Sequence, residues 1–221
     1  MVGAVDYKKP MRIFLLLLAS VFYCHFASAQ ADSLKRKVFV SSGLGLGFPV
    51  GDINTILSPR ISNVVGLNIP LKDERFFLYP VVDFMNFRYD QTVSDPDYDF
   101  TIQNGSANII GLSIMPGLNQ FLGSLRLYAF AGPHAQLVHE PRLITETGDR
   151  VGTVEDKVYL TGGLRGGIGA HYKLGSFYLF LESGLIQNFT KMQGQQFFVV
   201  HAHGGLKTDI TRLTDKIGAL L

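Results

Sequence analysis

The sequence predicts an all-β chain that closes into an eight-stranded, antiparallel up-and-down barrel. Three observations carry that expectation. Apolar residues recur at every second position over much of the chain, glycine is abundant at 24 residues, and long and short connections alternate between the periodic segments. Charged residues are sparse at 17% and aromatics frequent at 12%. That composition suits strands with apolar faces and suits a helical bundle poorly.

The first 29 residues read as a targeting segment. Lys8, Lys9 and Arg12 make a basic start, Ile13 to Tyr23 an apolar run, and Ala27-Ser28-Ala29 a small-x-small cleavage site, so export with cleavage after Ala29 is expected. A start at Met11 would give the same mature chain. The apolar run is shorter than the ~20 residues of a spanning helix. Cys24, the single cysteine, lies inside this segment, which leaves the mature chain without a thiol. Cleavage removes three of the 20 basic and one of the 18 acidic residues, leaving 17 of each. A balanced charge offers no reason to propose nucleic acid as a partner. The expected layout is a signal peptide over 1–29, a linker over 30–36, a barrel over 37–207 and a tail over 208–221.

The strands follow in order. In Lys37–Phe48, Val38, Val40, Leu44, Leu46 and Phe48 oppose Ser41, Gly43, Gly45 and Gly47. Arg60–Ile69 is the second. In Phe76–Tyr89, Asp83 breaks the apolar face on one parity, and Asn86 and Arg88 break it on the other. A bulge near Asp83 would reconcile the two. The fourth, Ala107–Leu118, lies in a span with no charge between Asp99 and Arg126. Its compactly apolar part, Ile109–Leu118, is about ten residues, the length of a membrane strand and not of a membrane helix. From Leu125, Leu127, Ala129, Ala131, Pro133, Ala135 and Leu137 oppose Arg126, Tyr128, Phe130, Gly132, His134 and Gln136. In Val158–Tyr172, Leu160, Leu164, Ile168 and Tyr172 share one face, and Arg165, Gly167, Gly169 and His171 the other. In the seventh, Phe177, Leu179, Leu181, Ser183 and Leu185 oppose Tyr178, Phe180, Glu182, Gly184, Ile186 and Asn188. In Phe197–Lys207, Phe198, Val200, Ala202 and Leu206 oppose His201, His203 and Lys207.

Connections after the first, third and fifth strands are long (49–59, 90–106 and 138–157). Those after the second, fourth and sixth are short (70–75, 119–124 and 173–176), and 190–196 is intermediate. Alternation of this kind marks a barrel with one rim outside and one in the periplasm, where both termini lie when the strand number is even. A soluble lipocalin-like carrier would point its apolar faces inward. Glycines on the polar faces, which leave room in a narrow lumen, favour the inverted, membrane-spanning sense. So do export and the complementary charges of Arg165 and Glu182, expected close to opposite one another as a lumenal ion pair on strands joined by the short turn at 173–176.

With these features the chain resembles the small outer-membrane β-barrel families of Gram-negative bacteria, broadly OmpA/OmpX-like and nearest to a PorT-like group. The resemblance is carried by Gly43-Leu-Gly-Leu-Gly-Phe-Pro-Val-Gly-Asp52, Leu78-Tyr-Pro-Val-Val, Leu127-Tyr-Ala-Phe-Ala-Gly-Pro133 and Gly162–Tyr172. It implies a fold rather than a reaction. It also implies outer-membrane lipid and the barrel-assembly machinery as partners, with a secretion complex or an extracellular ligand reached through the long loops. The chain departs from the family at its end. In place of a terminal aromatic strand, Lys207–Leu221 continues with Ile210, Leu213 and Ile217 at helical spacing, which predicts a short periplasmic helical tail.

Candidate chemistry is sparse. His134, His171, His201 and His203 point inward on this parity, but they are expected at different heights, with no cysteine or tight carboxylate cluster beside them. Hydrogen bonding is therefore expected of them, rather than metal ligation. Ser183 is the one candidate nucleophile for a lipid-modifying enzyme, and it lacks an evident histidine partner. No catalytic, cofactor or metal site is expected. Asp95, Asp97 and Asp99 have alternate spacing in an outer loop, lack the glycine and distal glutamate of an EF-hand, and read as a solvated segment open to binding. The expected function is structural or binding at the outer membrane. A PorT-like secretion accessory, a lipid-modifying enzyme and a soluble carrier are the alternatives.

Overall fold

The computed structural model describes residues 37–94, 99–145 and 152–211. The strands are β1 (Phe39–Pro49), β2 (Leu57–Pro70), β3 (Phe76–Ser94), β4 (Asp99–Leu122), β5 (Leu125–Thr145), β6 (Gly152–Leu174), β7 (Phe177–Met192) and β8 (Gln195–Asp209). Each pairs antiparallel with the next, and β1 also pairs with β8, so the ring is closed. Closure satisfies every edge, the condition for strands to lie in lipid. Both ends of the ring's chain, with the turns at 71–75, 123–124 and 175–176, lie on one rim, the lower one. At the opposite, upper rim, Gln193 and Gly194 both take positive φ (52° and 79°), as a two-residue hairpin turn requires.

Three expectations need correction. The stretches 90–106 and 138–157 are mostly strand, because β3 pairs with β4 up to Ser94–Asp99 and β5 with β6 up to Thr145–Gly152. They lacked an apolar face, and the lengths were read from that face alone. The bulge lies elsewhere. Pairing of β3 with β4 runs unbroken through Asp83–Gly111 and shifts between Tyr89 and Gln91, while pairing of β3 with β2 shifts between Pro59 and Ser62, opposite Phe87 and Met85. Asp83 is therefore a regular inward residue, aligned with Phe77, Tyr79, Val81, Met85 and Phe87, all buried. Finally, Arg165 and Glu182 are not opposite one another, since Arg165 pairs with Ile186 and Glu182 with Gly169. The expected segments 1–29 and 30–36, and the tail beyond Thr211, lie outside the described residues.

The apolar faces point outward. Leu164, Ile168, Leu181 and Leu160 are 52, 68, 67 and 72% exposed, and the polar alternates are buried. Outward apolar residues span Phe76–Phe84 on β3, Ile110–Leu118 on β4 and Leu127–Leu137 on β5. These spans are about ten residues each, the length of a tilted strand crossing hydrocarbon. Above that belt the outward face turns polar at Asn86, Arg88, Asp90, Asn108, His139 and Asp156.

The lumen is filled by side chains. An upper apolar cluster includes Ile53, Leu57, Met85, Phe87, Ile109, Val138, Phe197 and Val199. A lower one joins Val64, Phe77, Tyr79, Val81, Met115, Tyr128, Phe130 and Phe180. Lumenal glycines admit the rings of the lower cluster. A Cβ on Gly169 would strike Tyr128, and one on Gly117 would strike Phe77.

Candidate functional site

Between the two apolar clusters lies a layer of buried polar side chains, contributed by β2 through β8. Inward parity brings Ser62, Asp83, Ser113, His134, Arg165, Glu182, His201 and His203 into it, each less than 4% exposed. Arg165 Nη1 lies 2.5 Å from Asp83 Oδ2, and its Nη2 lies 3.7 Å from Glu182 Oε1. The long arginine side chain bridges the four-residue offset between its own position and that of Glu182. Asp83, read in the sequence only as a break in an apolar face, is thus the closer partner. Following the parity of Phe77, Tyr79 and Val81 would have found it. Glu182 Oε2 accepts hydrogen bonds from the hydroxyls of Tyr79 and Tyr128, each at 3.1 Å.

The histidines divide into groups. His134 Nδ1 lies 2.8 Å from Ser113 Oγ, and its Nε2 3.0 Å from Gln136 Oε1. His203 Nε2 lies 2.9 Å from Ser62 Oγ. The Nδ1 atoms of His201 and His203 are 3.2 Å apart, and His203 sits directly across the β7–β8 pair from Glu182. Two of the four imidazoles come together beside one carboxylate. Register sets Glu182 against His203 and Gly184 against His201, and one ligating atom from each of Glu182, His201 and His203 falls within 4.8 Å of the others. These three residues could hold a metal ion. His171 is apart from them, near the lower rim, packed on Tyr128 and Tyr178 at centroid distances of 5.6 and 5.2 Å.

Ser183 faces outward, and its hydroxyl donates to the His201 carbonyl at 3.1 Å. Among the described residues, the two serine–histidine contacts in the lumen, Ser62–His203 and Ser113–His134, lie between the apolar clusters, away from either rim. Of the three aspartates expected in an outer loop, Asp99 opens β4 opposite Ser94 and is exposed. Asp95 and Asp97 lie outside the described residues.

Above the belt a second polar group caps the upper cluster. Glu140 is buried, accepts from Arg142 at 3.0 Å, and has its carboxyl pushed above the usual range by burial. Tyr89 donates to Gln91 at 2.9 Å and accepts from Gln193 at 2.7 Å. On the outer wall, Asp90 accepts from the Asn104 backbone N–H and from Arg88 Nε, both at 2.8 Å. These bonds pin the one register shift between β3 and β4.

No family model matches the chain, and no curated protein matches it. Among solved structures, a major outer membrane protein of Thermus thermophilus is similar at 12% identity and a TM-score of 0.57, over 78% of this chain and 98% of that one. Neisserial surface protein A aligns at 11% identity and a TM-score of 0.47, over 78% of this chain and 97% of that one. The N-terminal β-barrel domain of Pseudomonas aeruginosa OprF aligns at 12% and 0.40, over 77% and 96%. The first of these likenesses is one of fold: the chain has the eight-stranded up-and-down barrel of an outer-membrane protein.

Proposed function

We propose that the chain is an exported, integral outer-membrane barrel with a structural or binding role, a closed lumen, and outer hairpins as its contact surface. The observation that supports this most is the apolar belt. It runs around the ring with side chains such as Ile168, Leu181 and Leu164 more than half exposed, an area that water would penalise at roughly 25 cal/mol per Å². A monomer carrying that belt in water would be an aggregate. The filled lumen supports a non-conducting barrel, since eight strands enclose only enough room for side chains.

The test is fractionation of expressing cells, followed by gels of the outer-membrane fraction with and without boiling. A band in that fraction that runs faster unboiled is the expected result. A soluble band with no heat shift would refute the membrane reading and favour a lipocalin-like carrier. Bilayer recordings are expected to show no steady conductance.

A PorT-like accessory role in protein secretion is the finer reading. It is supported by the polar hairpins that continue β3–β4 and β5–β6 above the belt. Deletion of the gene separates the roles. A secretion defect supports the accessory, altered lipid A a lipid-modifying enzyme, and an envelope phenotype alone the structural role.

A further inference from the structure

We propose that Glu182, His201 and His203 form a buried binding site for a late first-row divalent cation of the zinc class, held inside the barrel wall between β7 and β8. The donor set is two imidazoles and one carboxylate, which suits zinc and its neighbours and does not suit calcium or magnesium. All three ligand atoms already lie within 4.8 Å of one another. The 3.2 Å between the two Nδ1 atoms corresponds to an N–metal–N angle of about 100° at bond lengths of about 2.1 Å.

A further observation points to a cation. Glu182 Oε1 is buried without a hydrogen-bond partner, although burial normally forces such groups to pair. Within the layer Asp83 and Glu182 also share one guanidinium, that of Arg165, which lies closest to Asp83, with the buried Lys207 as a further positive charge acting on Glu182. The supporting contacts resemble those that orient metal ligands elsewhere: Ser62 Oγ on His203 Nε2, and two tyrosine hydroxyls on the far oxygen of Glu182. Apolar clusters close the layer from above and below. Loading therefore accompanies folding, and the bound ion exchanges slowly.

The experiment uses the full mature chain without a histidine tag, refolded in detergent with zinc or cobalt(II), then dialysed against EDTA. Metal per chain is measured by mass spectrometry, and the cobalt form by its visible ligand-field bands. The expected result is about one metal per chain, with retention lowered at least tenfold in His201→Gln, His203→Gln and Glu182→Gln and unchanged in His171→Gln and His139→Gln. The heat-shifted gel band reports folding of each variant. Wild-type protein that folds in zinc yet retains none after dialysis overturns the proposal. So does equal retention in the three ligand variants. Because refolding in detergent does not depend on where the protein resides in the cell, failure here leaves the outer-membrane reading intact, and failure of that reading leaves this one intact.

Discussion

Replacing Arg165 with methionine tests the buried charge layer most directly. The guanidinium is fully buried, 2.5 Å from Asp83 and 3.7 Å from Glu182. Methionine keeps much of the packing volume and removes the charge. Two carboxylates are then left in the lumen with their strongest compensating contact gone. Breaking a buried pair by deleting one partner costs about 3–5 kcal/mol, or roughly 10²- to 10⁴-fold in the folding equilibrium. Replacing all three groups by neutral ones, in Arg165→Met with Asp83→Asn and Glu182→Gln, removes the orphaned charges and should recover most of that loss. The chain contains no tryptophan, so unfolding in urea is best followed by the fraction of heat-shifted band in detergent. An Arg165→Met variant within about 0.5 kcal/mol of wild type would refute the reasoning. A triple variant no better than the single would also refute it.

Three further outcomes are expected. Leu164→Lys puts a charge on the lipid face at mid-belt and should lower the stability of the inserted barrel by about 2–4 kcal/mol. Ser106→Lys, on the outer extension, should change it by less than about 0.5 kcal/mol, and equal effects would reverse the in/out assignment. Gly169→Val drives a side chain into the Tyr128 ring and away from its bond to Glu182. Destabilisation of about 1–3 kcal/mol is expected, and neutrality in the urea assay would contradict the packing described. The Asp90 carboxyl is held below its ordinary value of 3.8 by the Asn104 backbone N–H and by Arg88. Its contribution is thus present above 3.8 and lost as pH falls through the lower folded value. Exchange protection of the Asn104 amide should drop over that acid range in wild type and stay flat in Asp90→Asn, and matching profiles would dismiss the role.

The strands were legible because each buried one face and exposed the other, so a period of two survived in the sequence. What the sequence hid follows from the same source. Above the belt polar residues interrupt both faces of β3, β4, β5 and β6, among them Arg88, Asp90, Glu140 and Asp156, so the apolar alternation breaks up and paired strand reads as loop. Asp83 looked like a defect because a charge within an apolar alternation is ambiguous until the neighbouring parity is fixed. Arg165 and Glu182 were legible as complementary charges on neighbouring strands. Their third partner was not, because Asp83 lies 82 residues from Arg165, and no local pattern links them. The histidine pair was visible as His201 and His203 on one face, but the approach of Glu182 depends on the β7–β8 register, which the sequence does not state.

That register raises a physical question which the polar layer answers. A strand slipped by one residue turns its apolar side chains into the lumen and its polar ones into lipid, a large penalty. A slip of two keeps every face correct, and lipid, being uniform, scarcely distinguishes it from the native pairing. Discrimination must then come from inside. A two-residue slip of β7 against β8 would move Glu182 from opposite His203 to another position, and would separate it from Tyr79, 103 residues away, and Tyr128, 54 away. It would also take Gly184 from opposite His201, where a side chain would collide with the imidazole. A slip of β6 against β5 would remove Gly169 from beneath Tyr128. These contacts join strands far apart in sequence and form only when the ring is closed in one register. On this reasoning the neutral triple variant, though stable, loses part of the specification. Disulfide trapping between cysteines placed at Ser183 and Ala202, which are paired in the native register, should then become less complete, with products from Ser183 to Gly204 appearing when that position carries the cysteine. Trapping as complete as in wild-type background would show that the aromatic–glycine contacts hold the register alone.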